Sequence, residues 1–105
     1  MSRPLVPNPK REGEAAAFHR AVFKAHGRAC WKCGKKDATD AAHVIARSHL
    51  GAKARYSCPE ANARPLCRGC HDAQTAGLWN WPLPVRRAAV LALNKVMRVP
   101  LPVPA

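Results

Sequence analysis

The chain has 105 residues, enough for one small domain, and such a domain often depends on a bound metal or a disulfide because its core is small. Its 18 Lys and Arg residues against 6 Asp and Glu give a net charge of +12, which favours a polyanionic partner, with nucleic acid ahead of a membrane surface. No apolar run reaches the roughly 18–20 residues that span a bilayer, so the sequence predicts no membrane helix.

The N-terminal segment MSRPLVPNPK holds three prolines and lacks the apolar centre of a signal peptide. We therefore expect residues 1–10 to form a flexible arm and the protein to be cytoplasmic. In a reducing cytoplasm, cysteines at short spacing indicate metal ligands rather than disulfides.

The rest of the chain predicts helices at both ends and short strands between them. We expect a single domain over residues 11–99, with its core at 30–77, and a Pro-rich extended tail over 100–105. The predicted elements are a helix at 12–25 ended by Gly27, a strand at 41–46, a hairpin loop at 48–54, a second strand near 54–57, a connecting segment at 59–65, a helix at 71–76 and a last helix at 85–97.

Two CxxC pairs are the strongest local signal in the sequence. Cys30 and Cys33 form the first pair, and Cys67 and Cys70 form the second. Four thiolates around one tetrahedral ion leave no open position for water, so the pattern predicts one structural Zn²⁺ per chain. A redox pair or free thiols are the alternatives. Cys58 lies outside both pairs and is expected to be a free thiol.

The segments CWKCG, AAHVIARSHLG and NARPLCRGCH together resemble the HNH endonucleases, also called His-Me finger or ββα-metal nucleases. The likeness is to the zinc-bearing members found in phage and bacterial genomes, and it covers about residues 30–71. It implies a small α+β fold, namely a ββα-metal finger with a four-cysteine structural zinc site and flanking N- and C-terminal helices. It also implies a bacterial or phage-infected cell as the setting.

The resemblance assigns catalytic roles to three residues. His43 corresponds to the general base, and an imidazole suits this role because its pKa lies near neutrality. Asn62 corresponds to the residue that orients this histidine or lies beside the metal. His71, directly after Cys70, corresponds to the ligand of a catalytic divalent ion, for which Mg²⁺, Mn²⁺ and Ni²⁺ are the candidates.

One position departs from the family pattern. Members often carry a metal ligand just before the first histidine, where this chain has Ala42. We expect Asp40 to substitute as a ligand, because residues two apart on a strand share a face. His49 and Asp72 are weaker candidates. The substrate phosphate and water could instead complete the coordination of the ion.

Several basic residues flank the proposed site and are expected to contact phosphates of DNA: Arg47, Lys53, Arg55, Arg64 and Arg68. Each could equally belong to a solvated surface. Trp79 and Trp81 could stack on bases, although packing against the adjacent helix is the favoured interpretation.

The sequence thus predicts a metal-dependent endonuclease that hydrolyses phosphodiester bonds of DNA. A non-catalytic zinc-ribbon module that binds nucleic acid is the main alternative, and Ala42 is the feature that favours it. A zinc-stabilised protein-interaction domain is the third hypothesis, against which the charge of +12 argues. The sequence does not decide between a monomer and a dimer.

Overall fold

The computed structural model describes residues 9–51 and 54–105. Within these residues the chain forms four α-helices, two β-strands and a short 3-10 helix at Arg47–His49. In chain order the main elements are α1 (Pro9–His26), β1 (Asp40–His43), α2 (Pro59–Asn62), β2 (Ala63–Leu66), α3 (Arg68–Thr75) and α4 (Leu83–Asn94). The expected small α+β class is confirmed.

The two strands pair antiparallel, with Asp40 opposite Leu66 and His43 opposite Ala63. After β2 the chain passes through Cys67 directly into α3. A sheet of two strands is marginally stable alone, and here both strands pack against α1 and α3. This packing sets the end of β1, which carries His43, beside the two helices.

The position of the second strand was predicted wrongly. Residues 54–56 form a turn, and the partner of β1 is β2, which falls in the expected connecting segment. The segment ARPL has little alternation to predict a strand, and it extends because Ala63 and Leu66 are fully buried. Pro65 lacks a backbone N–H, which a strand with a free edge tolerates, and its carbonyl accepts a hydrogen bond from the Trp31 backbone N–H at 2.8 Å.

The helices lie near their predicted positions with different bounds. Helix α1 starts at Pro9, inside the segment expected to be a flexible arm, of which residues 1–8 lie outside the described residues. Helix α3 starts three residues earlier than expected, at Arg68. Helix α4 starts at Leu83 because Pro84, in the first turn, needs no N–H partner there.

The core consists of three groups of buried side chains. The largest surrounds Trp81 and Leu66 and reaches α1 through Phe23. A second group joins Phe18 and Val22 of α1 to β2, and a third places Leu93 of α4 against the loop after the 3-10 helix. The core therefore connects α1, the sheet and α4 without a large apolar interior.

The C-terminal tail, residues 100–105, contains no helix or strand and lies against α4. The Asn94 side chain both donates to the Leu101 carbonyl, at 3.0 Å, and accepts from the Leu101 N–H, at 2.8 Å. The Arg87 side chain donates to the Pro104 carbonyl at 3.3 Å. Across the part of the chain that the structure describes, no helix combines the length and apolar character needed to cross a membrane.

Two leucines of α4 offer a matched test of this packing. Leu93 is fully buried and Leu91 is 51% exposed. We expect Leu93→Ala to lower the free energy of unfolding by about 2–5 kcal/mol, because it leaves a cavity among well-packed neighbours. Leu91→Ala should change it by less than about 0.5 kcal/mol. Urea unfolding of metal-loaded protein measures both, and equal losses would contradict the assignment of the buried face.

Candidate functional site

Four cysteines converge at one side of the sheet. The ligand sulfurs of Cys30, Cys33, Cys67 and Cys70 all lie within 4.8 Å of one another. The first pair sits in a turn that Gly34 completes with a φ of 79°, a conformation that glycine adopts without strain. The second pair brackets the start of α3, with Cys67 preceding its first residue.

The spacing of these sulfurs is that of a metal site. Sulfur atoms bound to one tetrahedral zinc at about 2.3 Å lie about 3.8 Å apart. The Cys33 and Cys67 sulfurs are separated by 3.8 Å. The cluster can therefore hold a metal ion, and its geometry is compatible with zinc, as the two CxxC pairs predicted.

The thiols also differ in acidity. Burial acts to raise the pKa of Cys30, but hydrogen bonds from the backbone N–H groups of Cys33, Cys67 and Lys32 lower it to about 6. Burial and hydrogen bonds with the other three thiols raise the pKa of Cys70 to about 12. Neighbouring sulfurs thus resist simultaneous ionisation, which a bound cation would offset, since the thiolate is the ligand form.

A cavity of about 640 Å³ opens between α1, β1 and α3. His43, Asp40 and His71 all line it. They come from the end of β1, the start of β1 and the first half of α3, so the β1–β2–α3 order brings them together.

His43 is held in a defined orientation. Its Nε2 lies 2.8 Å from the Arg55 carbonyl, which can only accept, so Nε2 carries the proton of the neutral ring and Nδ1 is unprotonated. The Phe18 ring stacks on the imidazole, with 4.8 Å between centroids and 11° between planes. Burial lowers the pKa of His43, the carbonyl opposes this in part, and the Arg47 charge lowers it further. The ring is therefore kept neutral and able to accept a proton.

His71 and Asp40 are in direct contact. The His71 Nδ1 lies 2.7 Å from Asp40 Oδ2, and a carboxylate accepts, so Nδ1 donates and Nε2 of the neutral ring is left as an acceptor. Burial acts to raise the pKa of Asp40, but hydrogen bonds from His71 and the Thr39 hydroxyl, together with the Arg68 charge, lower it. Asp40 is thus an anion whose partners fix its position.

Asn62 does not line the cavity. Its side chain is fully buried, and its Oδ1 accepts a hydrogen bond from the Ile45 N–H at 2.8 Å. The backbone carbonyl of Asn62 accepts another hydrogen bond from the Val44 N–H at 2.8 Å. Asn62 therefore holds the two residues that follow His43, and its predicted role at the site stays a prediction.

The weaker ligand candidates do not line the cavity. His49 is exposed on the 3-10 helix, and the Asp72 carboxylate lies 3.9 Å from Arg68. Ala42, where the family often has a ligand, is 1% exposed and belongs to the core. Asp40 therefore lies closest to the predicted ligand His71.

The predicted phosphate contacts divide into different environments. Arg47 and Arg68 line the cavity, and the Arg68 guanidinium lies 3.4 Å from Asp40. Arg55 is half-buried and holds His43 through its carbonyl. The Nη1 of Arg64 donates to the carbonyls of Glu60, Ala61 and Ala63, so this side chain serves the fold. Lys53 lies outside the described residues.

Other residues of the cavity carried no sequence signal. Phe18 and His19 reach the wall from α1, and Tyr56 reaches it from the loop before α2. The contact of Phe18 with His43 depends on the tertiary packing of α1 on the sheet. No periodicity or motif spacing could reveal that contact.

Comparison of the chain with protein-family models, with curated proteins and with solved structures finds no match in any of the three. The resemblance to HNH endonucleases therefore rests on the motifs of residues 30–71. The cavity and the cysteine cluster provide the structural ground for a functional proposal.

Asn62 yields a direct test of how His43 is held. We expect Asn62→Ala to lower the free energy of unfolding by about 1–3 kcal/mol, because the Ile45 N–H loses its buried acceptor. The Ile45 amide should then exchange its hydrogen faster. The Met97 amide, bonded to the Leu93 carbonyl at 3.0 Å near the end of α4, is the internal reference. Uniform acceleration at both amides would indicate global destabilisation and contradict the local role.

Proposed function

We propose that this protein is a metal-dependent endonuclease of the HNH type, which hydrolyses phosphodiester bonds of DNA. The observation that supports it best is the shared cavity of His43, Asp40 and His71, formed between β1, α1 and α3. A base and a pair of cation ligands around one cavity are what hydrolysis of a phosphodiester requires.

His43 is the proposed general base. Its Nδ1 takes a proton from a water molecule as the water oxygen attacks phosphorus, and the bond to the leaving sugar oxygen breaks. The hydrogen bond from Nε2–H to the Arg55 carbonyl stabilises the imidazolium that forms. The stacked Phe18 ring limits rotation of the imidazole, so Nδ1 stays directed to one place.

His71 and Asp40 are the proposed holders of the divalent ion. An imidazole nitrogen and a carboxylate oxygen suit Mg²⁺, Mn²⁺ or Ni²⁺, with water and substrate phosphate as further ligands. The His71 Nδ1 and Asp40 Oδ2 lie 2.7 Å apart, so a bound ion would displace the proton that they share and both atoms could then ligate it. When bound, the ion would supply positive charge to the phosphate and the leaving oxygen.

The cysteine cluster is proposed to bind one structural zinc. Four thiolates saturate a tetrahedral ion, so this zinc would take no part in the reaction. Its ligand Cys70 directly precedes His71 on α3. The zinc would therefore fix the start of the helix that carries the catalytic metal ligand.

DNA is the proposed substrate because of charge. Arg47 and Arg68 line the cavity, and the net charge of the chain is +12. Guanidinium groups at the cavity wall would bind the phosphates on either side of the scissile bond without reading base sequence.

A binding module without catalysis is the second candidate, and it is favoured by Ala42, which stands where the family often has a metal ligand. With no ligand at this position, the described residues offer only the His71–Asp40 pair for a catalytic ion. Retained binding of DNA without cleavage under any divalent metal would support this second function.

A matched pair of cysteine variants tests zinc binding. We expect one zinc per purified chain, and we expect Cys67→Ser to lose it and to melt at lower temperature, because metal binding stabilises the folded state. Cys58→Ser should keep the zinc, because Cys58 lies outside the cluster and donates to the Ala92 carbonyl. Elemental analysis and thermal melting measure both, and a zinc-free wild type would contradict the assignment.

Cleavage of a supercoiled plasmid with added Mg²⁺, Mn²⁺ or Ni²⁺ tests the nuclease. We expect His43→Ala to lower the rate by about 10²–10⁴-fold, the usual contribution of a general base. His49→Ala, an exposed histidine on the 3-10 helix, should cleave as the wild type does.

Zinc content and the melting curve show that both histidine variants fold. Equal rates for His43→Ala and the wild type would remove His43 from the mechanism. A wild type that cleaves without added divalent metal, in buffer passed over a chelating resin, would contradict metal dependence.

A further inference from the structure

Three tryptophans form a cluster beside the cysteine site. Trp81 is 1% exposed and anchors the cluster in the core, whereas Trp31 remains 38% exposed. The Trp31 and Trp79 rings lie nearly parallel, with 6.3 Å between centroids and 18° between planes. Trp81 meets each of them at an angle, at centroid distances of 5.1 and 5.0 Å. Core packing accounts for Trp81 but leaves the exposure of Trp31 unexplained.

Both outer tryptophans are fixed to the segments that carry the cysteines. Trp31 lies between Cys30 and Cys33, and its backbone N–H donates to the Pro65 carbonyl at 2.8 Å. The Trp79 Nε1 donates to the Cys70 carbonyl at 3.0 Å. A rigid, partly exposed aromatic surface of this kind loses little conformational entropy when a planar ligand stacks on it.

The surroundings of the two rings are basic. The Lys32 ammonium lies 5.4 Å from the centre of the Trp79 ring, and Lys35 and Lys36 are exposed just after the same cysteine turn. Asp37 is the exposed acidic residue that follows them. An aromatic ring flanked by ammonium groups matches a nucleotide, which presents a planar base and a phosphate.

We propose that Trp31, Trp79 and Lys32, here called the tryptophan surface, bind an unpaired nucleotide of a DNA strand. The base stacks on the exposed indole and the phosphate pairs with Lys32. An unpaired base fits better than a paired one, because the faces of a base inside a duplex are already stacked on its neighbours.

This inference rests on the proposed nucleic-acid ligand but not on cleavage. Cys70 holds Trp79 through its carbonyl, and the next residue, His71, lines the cavity. The tryptophan surface and the cavity therefore adjoin the same turn of α3. A DNA with a single-stranded segment next to the scissile bond could contact both, which makes branched or gapped DNA the preferred substrate class.

Fluorescence anisotropy of a labelled oligothymidine, about eight nucleotides long to match the site size of a small single-strand binder, tests the surface with zinc-loaded protein and no added divalent metal. We expect Trp31→Ala to weaken binding about tenfold, as removal of one stacking aromatic does. Trp31→Phe should recover most of the affinity. Leu91→Ala removes an exposed apolar side chain from α4 and should bind as the wild type does.

Lys32→Ala and Lys24→Ala are a second matched pair, each removing one exposed positive charge. Only Lys32→Ala should weaken binding beyond the small effect of net charge. If Trp31→Ala loses its zinc and its binding can no longer be interpreted, the two lysine variants still test the tryptophan surface. Equal affinity of Lys32→Ala and Lys24→Ala, or of folded Trp31→Ala and wild type, would overturn the proposal.

The His43→Ala variant separates this inference from the nuclease proposal. It should bind the oligonucleotide as the wild type does, although its plasmid cleavage should be about 10²–10⁴-fold slower. If the wild type itself cleaves nothing but binding still depends on Trp31, the tryptophan surface is supported and the nuclease proposal fails. If the wild type cleaves DNA but Trp31→Ala binds the oligonucleotide as tightly as the wild type does, the nuclease proposal is supported and the tryptophan surface fails.

Discussion

The convergence of four sulfurs within 4.8 Å is the constraint on which this small fold depends. It joins the turn after α1 to the start of α3, two segments that a two-stranded sheet could hold only weakly. The core around Trp81 and Leu66 packs against the cysteines Cys67 and Cys70. A cation at this cluster would therefore stabilise the sheet and α3 together, and its binding free energy would add to a modest apolar core.

The cysteine cluster also helps to position one side of the cavity. His71 directly follows Cys70, so a cation that fixed Cys70 would also limit movement of the His71 backbone. The His71 imidazole in turn contacts Asp40 at 2.7 Å. His43 is held independently, by the Arg55 carbonyl, by Phe18 and by the segment that Asn62 fixes. Two separately supported imidazoles thus line one volume, which is the physical basis of the proposed reaction.

Predictability from the sequence differed between residues for physical reasons. The Cys pairs were predictable because two ligands of one metal ion often lie only three residues apart, a spacing that is visible in the sequence itself. Asp40 was expected to replace the ligand missing at Ala42; the structure places its carboxylate against His71, and its role as a ligand stays a prediction. The strand β2 was missed because ARPL extends through tertiary burial of Ala63 and Leu66 rather than through propensity. The two direct contacts of the His43 ring could not be predicted, since the Arg55 backbone carbonyl carries no residue signature and the stacked Phe18 ring comes from a distant helix.

Arg64 alters how the charge of +12 should be understood. Its guanidinium is half-buried, and one nitrogen already serves three carbonyls at the junction of α2 and β2. Only cations that reach phosphates displace condensed counterions, at a slope of about −0.9 in log affinity against log salt for each contact with duplex DNA. The ionic-strength dependence of association should therefore be shallower than the arginine and lysine content of the chain suggests.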